Sequence, residues 1–277
     1  MEPRNASWLS TRKILLLVVV VAAQAADTRC KYLERRASEM ILEFSPDYDS
    51  FARAFLGFVH RAPMVPNDRS ALKVVLPCIP DGDGLWLEFG VYMGQTLKLM
   101  ASFRNNGSVY GFDSFRGLPE EWNYGNSNKS KYVRKGAFEI AAPPTMEESN
   151  IELRAGLFNE SIPPFLDEPG IASEKLRLLH VDCDLYSSTK SVLYLLQDKL
   201  VPGVVIVFDE IINYPMWRKG EFLALWEMLR DNRHLALQLL GTSNRNVVMN
   251  PKTGRGNQAC AIRLVCSNTN PVSSGNC

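Results

Sequence analysis

Short runs of apolar residues alternate with stretches of helical periodicity along most of the chain. Seven runs have the length and the bounding turn residues of β-strands: 85–92, 108–115, 151–158, 176–184, 204–210, 235–241 and 259–266. Strands that are apolar on both faces are typical of a parallel sheet covered by crossover helices. The pattern therefore predicts an α/β fold with a doubly wound sheet of about seven strands. No full helix separates the last two runs, so we expect them to pair as a hairpin with one strand antiparallel.

The N-terminal part of the chain has a different pattern. Arg12 and Lys13 precede the apolar stretch ILLLVVVVAA, and small residues around Ala25 follow it. This order predicts a secretory signal peptide over residues 1–25, or an uncleaved signal anchor, and hence a protein of the secretory pathway or a secreted one. The stretch is short for a bilayer span, which needs about 20 residues.

Charge and hydropathy limit the partners of the remaining chain. The formal net charge of the 277 residues is +1, and no long basic run occurs, which argues against a nucleic-acid partner. No later segment is apolar enough to span a membrane. Whether the chain forms a homo-oligomer stays open. The expected organisation is a leader (1–25), an N-terminal helical cap (26–79), a main domain (80–266) with an insert (116–149), and a C-terminal tail (267–277).

The six cysteines lack the CxxC spacing of a zinc site. Terminal pairs such as Cys30 with Cys277 are candidates for disulfides, although the sequence does not give their connectivity. Cys183 lies inside an acidic motif and is expected to be a buried thiol. Sequons for N-glycosylation give weak support for a lumenal location; they begin at Asn106, Asn128 and Asn159.

Two motifs follow the first two predicted strands, where α/β sheets bind ligands. In LEFGVYMGQT, Gly90 and Gly94 allow a close backbone approach, and the following helix N-terminus favours an anionic group. The spacing ExGxxxG differs from the GxGxxG of dinucleotide sites. In YGFDSF, Asp113 ends a strand and is suited to accept hydrogen bonds from ribose hydroxyls. The alternatives are a tight strand-to-helix turn and a turn-forming aspartate.

A third motif, HVDCD, places Asp182 and Asp184 on the same side of a strand end. Asp209 and Glu210 end the next strand. If the two strands are neighbours, four carboxylates converge and repel one another, and a divalent cation such as Mg²⁺ resolves the conflict. The alternative is that the acids are solvated strand ends.

Other candidates have a plain structural interpretation beside a functional one. His180 is expected to be a hydrogen-bonded core residue. The run after HVDCD offers helix N-caps at Ser187, Ser188 and Thr189. The segment after the second acid pair either lines an acceptor pocket or packs at the surface, through Tyr214, Trp217 and Arg218.

The segments LEFGVYMGQT, GFDSFRGLPEEW, HVDCDLYSST and VPGVVIVFDE resemble, in this order, the macrocin O-methyltransferase family of class I S-adenosylmethionine-dependent methyltransferases. The resemblance covers roughly residues 80–265. It implies a Rossmann-like methyltransferase fold and magnesium-assisted methylation of a hydroxyl on a sugar or related polyol, as a small molecule or a glycan.

By motif match, the resemblance implies a set of site residues: Glu88, Gly90, Gly94, Thr96, Asp113 and Ser114 for the cofactor, Asp182, Asp209 and Glu210 for the metal, and Asp184 as general base. The family commonly has two aspartates where this chain has Asp209 and Glu210. The insert 116–149, with Trp122, Tyr124 and Tyr132, is expected to be a lid, unless it is a simple surface excursion. The alternatives are a catechol-type acceptor, a hydroxylase-like or other metal-dependent enzyme that does not methylate, and a non-catalytic lumenal binding protein.

Overall fold

The computed structural model describes residues 28–61, 64–65, 71–125, 132–243 and 258–270. The predicted leader, the sequon at Asn128 and most of the C-terminal tail lie outside these residues. Strands are β1 (Ile41–Leu42), β2 (Met64–Val65), β3 (Leu85–Phe89), β4 (Val109–Asp113), β5 (Trp122–Asn123), β6 (Tyr132–Val133), β7 (Ile151–Ala155), β8 (Leu176–Val181), β9 (Val205–Phe208), β10 (Leu235–Ser243) and β11 (Cys260–Cys266). Helices are α1 (28–37), α2 (Tyr48–His60), α3 (Ala71–Val75), α4 (Gln95–Phe103), α5 (Phe158–Leu166), α6 (Tyr186–Leu195) and α7 (Glu221–Asp231).

Within the described chain, the central sheet has nine strands in the order β1-β10-β11-β9-β8-β3-β4-β7, with β2 pairing on β10. The seven predicted strands are all present. The expected hairpin is confirmed, because β11 runs antiparallel to both β10 and β9. Two short strands, β1 and β2, extend the sheet at the β10 edge. Sequence patterning missed them because two residues carry no periodicity.

Helices cover both faces of the sheet, as a doubly wound fold requires. One core contains the apolar faces of α2, α5, α6 and α7, and the other contains those of α1, α3 and α4. Neighbouring β3 residues alternate between them: Leu87 and Phe89 join the first core, and Trp86 joins the second. Helix α2 begins where the Asp47 carboxylate accepts the Ser50 N–H at 2.6 Å, an N-cap that satisfies a free helix donor.

A disulfide joins Cys30 of α1 to Cys78, which follows α3 on the same face of the sheet. The suggested pairing of Cys30 with Cys277 was therefore wrong; the true partner is closer in sequence, and the fold brings it near. Cys183 is a free, buried thiol, as expected. No helix in the described ranges combines the length and apolarity that a bilayer crossing requires.

Candidate active site

A cavity of about 650 Å³ opens at the carboxyl ends of the parallel strands. Its walls come from the loops after β3, β4, β7, β8 and β9, from the start of α6, and from the insert that contains β5 and β6. Binding sites of open α/β sheets lie at this edge, because the strand order reverses there and the loops diverge. The predicted motifs therefore meet around one cavity.

Three predicted cofactor residues lie on the cavity wall: Gly90, Asp113 and Ser114. The Asp113 Oδ2 atom accepts backbone N–H groups of Val91 and Tyr92 at 2.9 Å each, and Oδ1 accepts the Phe115 N–H at 2.7 Å. Asp113 thus fixes the loop after β3 and its own turn. Oδ2 already accepts two bonds, whereas Oδ1 accepts one and keeps a lone pair for a ligand hydroxyl.

Gly90 joins the loop after β3 to the loop after β8. Its φ of +93° is a conformation that side-chain-bearing residues rarely adopt, and a Cβ atom there would lie 1.7 Å from the Asp182 carbonyl oxygen. The two loops therefore touch backbone to backbone. Only glycine permits this approach, which brings the cofactor-type motif against the acidic motif.

Glu88, Gly94 and Thr96 are not among the residues that line the cavity. Gly94 caps α4 with φ +75°, and a Cβ atom there would lie 2.4 Å from Met146 Cε, so the insert packs over this turn. Thr96 follows in the first turn of α4. The glycine pattern therefore predicted the position of the turn correctly. It did not predict that Met146 of the insert packs over this turn.

Glu88 and His180 form a buried pair between β3 and β8, with His180 Nδ1 donating to Glu88 Oε1 at 2.8 Å. Burial opposes protonation of His180, but the hydrogen bond and charge of Glu88 outweigh it and raise the pKa of His180 to about 9. The pair is therefore ionic at neutral pH. The core interpretation of His180 is correct, with Glu88 as the partner that sequence could not name.

The acids after β8 and β9 converge as expected, since these strands are parallel neighbours. Asp182, Asp209 and Glu210 each offer a carboxylate oxygen within 4.8 Å of the others. Burial and the Asp209 charge raise the pKa of Asp182 and of Glu210 well above the ordinary carboxyl range. The Glu210 Oε2 atom is buried without a hydrogen-bond partner among the described residues. Such a set is electrostatically unfavourable unless a proton or cation is shared.

Asp184 lies beside this group on the cavity wall. Burial and the Asp209 carboxylate raise the pKa of Asp184 to about 7. Its φ is +61°, and the Leu185 N–H donates to the Cys183 carbonyl at 2.6 Å across it, so Asp184 is the centre of a very tight turn. A non-glycine residue in this region stores strain, which is common where a side chain must be aimed at a site.

Glu221 is a further buried carboxyl that the sequence gave no reason to select. It is the first residue of α7, its Oε1 lies 3.5 Å from Thr189 Oγ1, and its Oε2 has no partner in the described part of the chain. Burial and the charges of Asp184 and Asp182 raise the pKa of Glu221 well above its usual range. Acidic residues are common in the first turn of helices because they interact favourably with the helix dipole, so the position of Glu221 in the sequence did not indicate a functional role.

Serines at the start of α6 were interpreted as N-caps, but the helix begins earlier, at Tyr186. Ser187 and Ser188 therefore line the cavity together with Ser191, one turn further on. Their hydroxyls add hydrogen-bonding groups to the cavity wall, and that of Ser187 donates to Glu120. The helix N-cap is Leu185, at least two residues before the predicted caps, so the serines lie inside the helix and become candidate binding residues.

The insert supplies an aromatic wall. Trp122 and Tyr124 lie on the cavity with ring centroids 5.2 Å apart, and Trp122 also meets Tyr214 edge-on at 6.1 Å. Tyr132 is exposed and is not among the lining residues. The suggestion that Trp217 and Arg218 line a pocket was wrong. Trp217 packs on Phe222, and Arg218 pairs with Asp49 and covers Tyr48.

The sheet order, the crossover helices and the cavity at the strand ends define a Rossmann-like class I methyltransferase fold. Residues 87–211 match the family model described as "Methyltransferase domain". The solved calicheamicin methyltransferase CalS11 is similar in fold, with a TM-score of 0.50 and 22% identity over 86% of this chain and 91% of that one. A second, apo CalS11 structure, titled TDP-rhamnose 3'-O-methyltransferase, has a TM-score of 0.46 and 20% identity over 86% of this chain and 93% of that one.

One curated relative is 26% identical over 175 residues: the 8-demethyl-8-(2,3-dimethoxy-alpha-L-rhamnosyl)-tetracenomycin-C 4'-O-methyltransferase of Streptomyces olivaceus. The match covers 59% of this chain and 64% of the relative, slightly less than two thirds of its length.

Proposed function

We propose that the protein is an S-adenosylmethionine-dependent O-methyltransferase that methylates a hydroxyl of a sugar or related polyol with the help of a divalent cation. The observation that carries the proposal is the meeting of two motifs at one cavity. The Gly90–Asp113 wall faces the same space as Asp182, Asp184 and Glu210. A protein that only binds a ligand has no need of a group of buried carboxylates. Methyl transfer to a weakly acidic hydroxyl needs such groups to remove the proton and to hold a cation.

The Gly90, Asp113 and Ser114 wall is the proposed cofactor side. Asp113 is held by three backbone N–H groups, so its oxygens are fixed before a ligand arrives. An ordered carboxylate at the end of the second core strand, with one lone pair left on Oδ1, suits a ribose hydroxyl. S-adenosylmethionine supplies the electrophilic methyl group when bound, and the protein's part is to hold donor and acceptor in line.

The acid group fits a hard divalent cation. All the ligand atoms are carboxylate oxygens, which Mg²⁺ prefers, and Glu210 Oε2 is buried without a partner in the described chain. Asp182, Asp209 and Glu210 would hold the ion. A bound cation would supply positive charge that stabilises a developing alkoxide on the acceptor. Glutamate at the third position reaches one methylene further than the aspartate of the resembled family.

Asp184 is the proposed general base. A sugar hydroxyl is a poor nucleophile until its proton is removed, and a carboxylate with a pKa of about 7 balances basicity against ionisation at neutral pH. Asp184 lines the cavity and is not a member of the group formed by Asp182, Asp209 and Glu210. Ser187 and Ser188, on the same wall, are suited to orient neighbouring acceptor hydroxyls by hydrogen bonding.

The insert is the proposed acceptor wall and lid. Sugars combine apolar C–H faces with polar hydroxyl edges, and the cavity pairs aromatic rings from Trp122 and Tyr124 with serine hydroxyls. The name of the tetracenomycin relative, which acts on a rhamnosyl group, supports a sugar acceptor. The choice of acceptor therefore depends chiefly on the insert, and the chemistry depends on the strand ends.

The proposal is tested by calorimetric titration of the purified protein with S-adenosylmethionine, with Mg²⁺ and with a chelator. Saturable binding that weakens at least tenfold in Asp113→Ala supports the cofactor site. Asp167→Ala, which changes an aspartate that does not line the cavity, is the matched control and should bind normally. Methyl transfer to a panel of rhamnosides and other glycosides should then require Mg²⁺. Absence of cofactor binding under every condition would exclude a methyltransferase.

A further inference from the structure

The sequon Asn106-Gly-Ser108 lies in the loop between α4 and β4. Asn106 is exposed, and its backbone N–H donates to Asp81 Oδ1 at 3.2 Å, while the Asn105 N–H donates to Oδ2 of the same carboxylate at 3.1 Å. Gly107 has φ +112°, which permits the reversal of the chain after Asn106. The loop is therefore an ordered surface turn whose second asparagine side chain has no hydrogen-bond partner among the described residues.

The loop is at the end of the sheet opposite to the cavity. It precedes Val109, the first residue of β4, whereas the cavity begins after Asp113, the last one. A strand of this length separates the two ends by roughly 13 Å. A large group on Asn106 would thus extend into solvent away from the cavity and from both cores.

The described cysteines indicate an oxidising compartment. Cys30 and Cys78 form a disulfide, and structural disulfides are rare where glutathione keeps thiols reduced. The free thiols of Cys183 and Cys260 are both buried, so the fold protects them from exchange. The leader pattern at residues 1–25 is a separate observation with the same implication.

We propose that Asn106 carries an N-linked glycan. The donor would be a polyprenyl-diphosphate-linked oligosaccharide used by the transferase of the secretory pathway. The Asn106 amide nitrogen attacks the anomeric carbon, a C–N bond forms, the C–O bond to the diphosphate breaks, and the amide proton is lost as the lipid diphosphate leaves. Ser108 completes the acceptor sequence.

Asn159 also begins a sequon, but we expect it to carry no glycan, so it serves as an internal control. Its sequon is present, but the residue lies in the first turn of α5 and lines the cavity. Asn159 is exposed, but because it is also part of the cavity wall, a glycan there would compete with a ligand for space. The proposal therefore assigns the modification to Asn106 and leaves Asn159 unmodified in the secreted, folded protein.

The test is to express the full chain in a secretory eukaryotic cell line and map the glycosylated asparagines by enzymatic deglycosylation in heavy-oxygen water. Asn106 should be converted to labelled aspartate, and Asn159 should not. Asn106→Gln and Ser108→Ala should each lose one glycan, whereas Asn105→Gln and Ser108→Thr should retain it. Because Ser108→Thr keeps the sequon and Ser108→Ala removes it, the pair separates loss of the acceptor from misfolding. Unlabelled Asn106 in secreted protein, or a glycan at Asn159, would overturn the assignment.

Discussion

His180 Nδ1 lies 2.8 Å from Glu88 Oε1, and neither side chain is exposed to solvent. The pair ties β3 to β8 directly below the loops that carry the proposed cofactor and metal residues. Because the pKa of His180 is raised to about 9, the imidazolium is retained at neutral pH and places a positive charge beneath Asp182 and Asp209. Glu88 thus influences the site indirectly, by holding the His180 imidazolium close to these acids.

Removal of Glu88 should destabilise the fold. Glu88→Ala leaves His180 buried without its counter-ion, and breaking a buried pair in this way costs about 3–5 kcal/mol of unfolding free energy. Urea denaturation at pH 7 measures the loss. Glu39→Ala, which removes an exposed partner of Arg36, should leave stability close to that of the wild type. The pair's contribution should also disappear above about pH 9, as His180 loses its proton. Equal stability of both variants would contradict the ionic pair.

Glu221→Gln should stabilise the metal-free protein at pH 8 and have little effect at pH 4. The pKa of Glu221 is higher in the folded than in the unfolded chain, so the folded state binds more protons and loses stability as pH rises from the ordinary carboxyl range. Glutamine keeps the size and removes the charge. Thermal denaturation across this pH range, with Glu39→Gln as a surface control, measures the effect. A destabilised variant at pH 8 would mean that Glu221 is needed as an anion.

Magnesium should raise the melting temperature at pH 8, because it offsets repulsion among Asp182, Asp209 and Glu210. The rise should fade as the pH falls toward 5, since the raised pKa values of Asp182 and Glu210 favour their protonated forms. Asp209→Asn should abolish the rise, and Asp198→Asn, on the exposed surface, should retain it. An identical rise in both variants would show that Mg²⁺ binds elsewhere.

Asp184→Asn should lower kcat by about 10²- to 10⁴-fold, the usual contribution of a general base, while S-adenosylmethionine binding stays within twofold. In the wild type, kcat/KM should rise with pH through a value near or below 7, because the deprotonated form is required and a bound cation would lower the pKa of Asp184 further. Methyl transfer followed across pH, together with calorimetry, gives both quantities. A normal turnover rate in the variant would remove Asp184 from the mechanism.

Trp122→Ala should raise KM for a sugar acceptor about tenfold and leave cofactor affinity unchanged, because it removes an aromatic face from the acceptor wall alone. Tyr132→Ala is the matched control: it changes an exposed aromatic residue on the partner strand of the same hairpin, outside the cavity lining. Steady-state kinetics with varied acceptor distinguishes the two. Equal effects would indicate that the hairpin acts only through its folding.

The sheet was predictable because long apolar runs are typical of strands that are buried on both faces. The cavity was predictable because such parallel sheets bind ligands at the carboxyl ends of their strands. The same logic brought Asp182 together with Asp209, since neighbouring parallel strands end at one edge. What escaped prediction depends on contacts between distant parts of the chain. In the sequence, Glu221 is an ordinary acid in the first turn of a helix, and only the packing of α7 brings it close to the other acids. Likewise, nothing in the local sequence around Met146 indicates that it packs over Gly94. Two-residue strands and helix starts are likewise decided by packing instead of periodicity.

The contact at Gly90 has a further consequence for how the protein could move. Because its backbone rests on the Asp182 carbonyl, with no space for even a methyl group, the loops after β3 and β8 form one continuous floor. Motion that opens the cavity has to come from its other walls, which are the loops after β4, β7 and β9 and the proposed lid. The proposed lid is a separate part of the chain from this floor, so a substitution in the insert can change the acceptor side of the cavity without altering the Gly90–Asp182 contact.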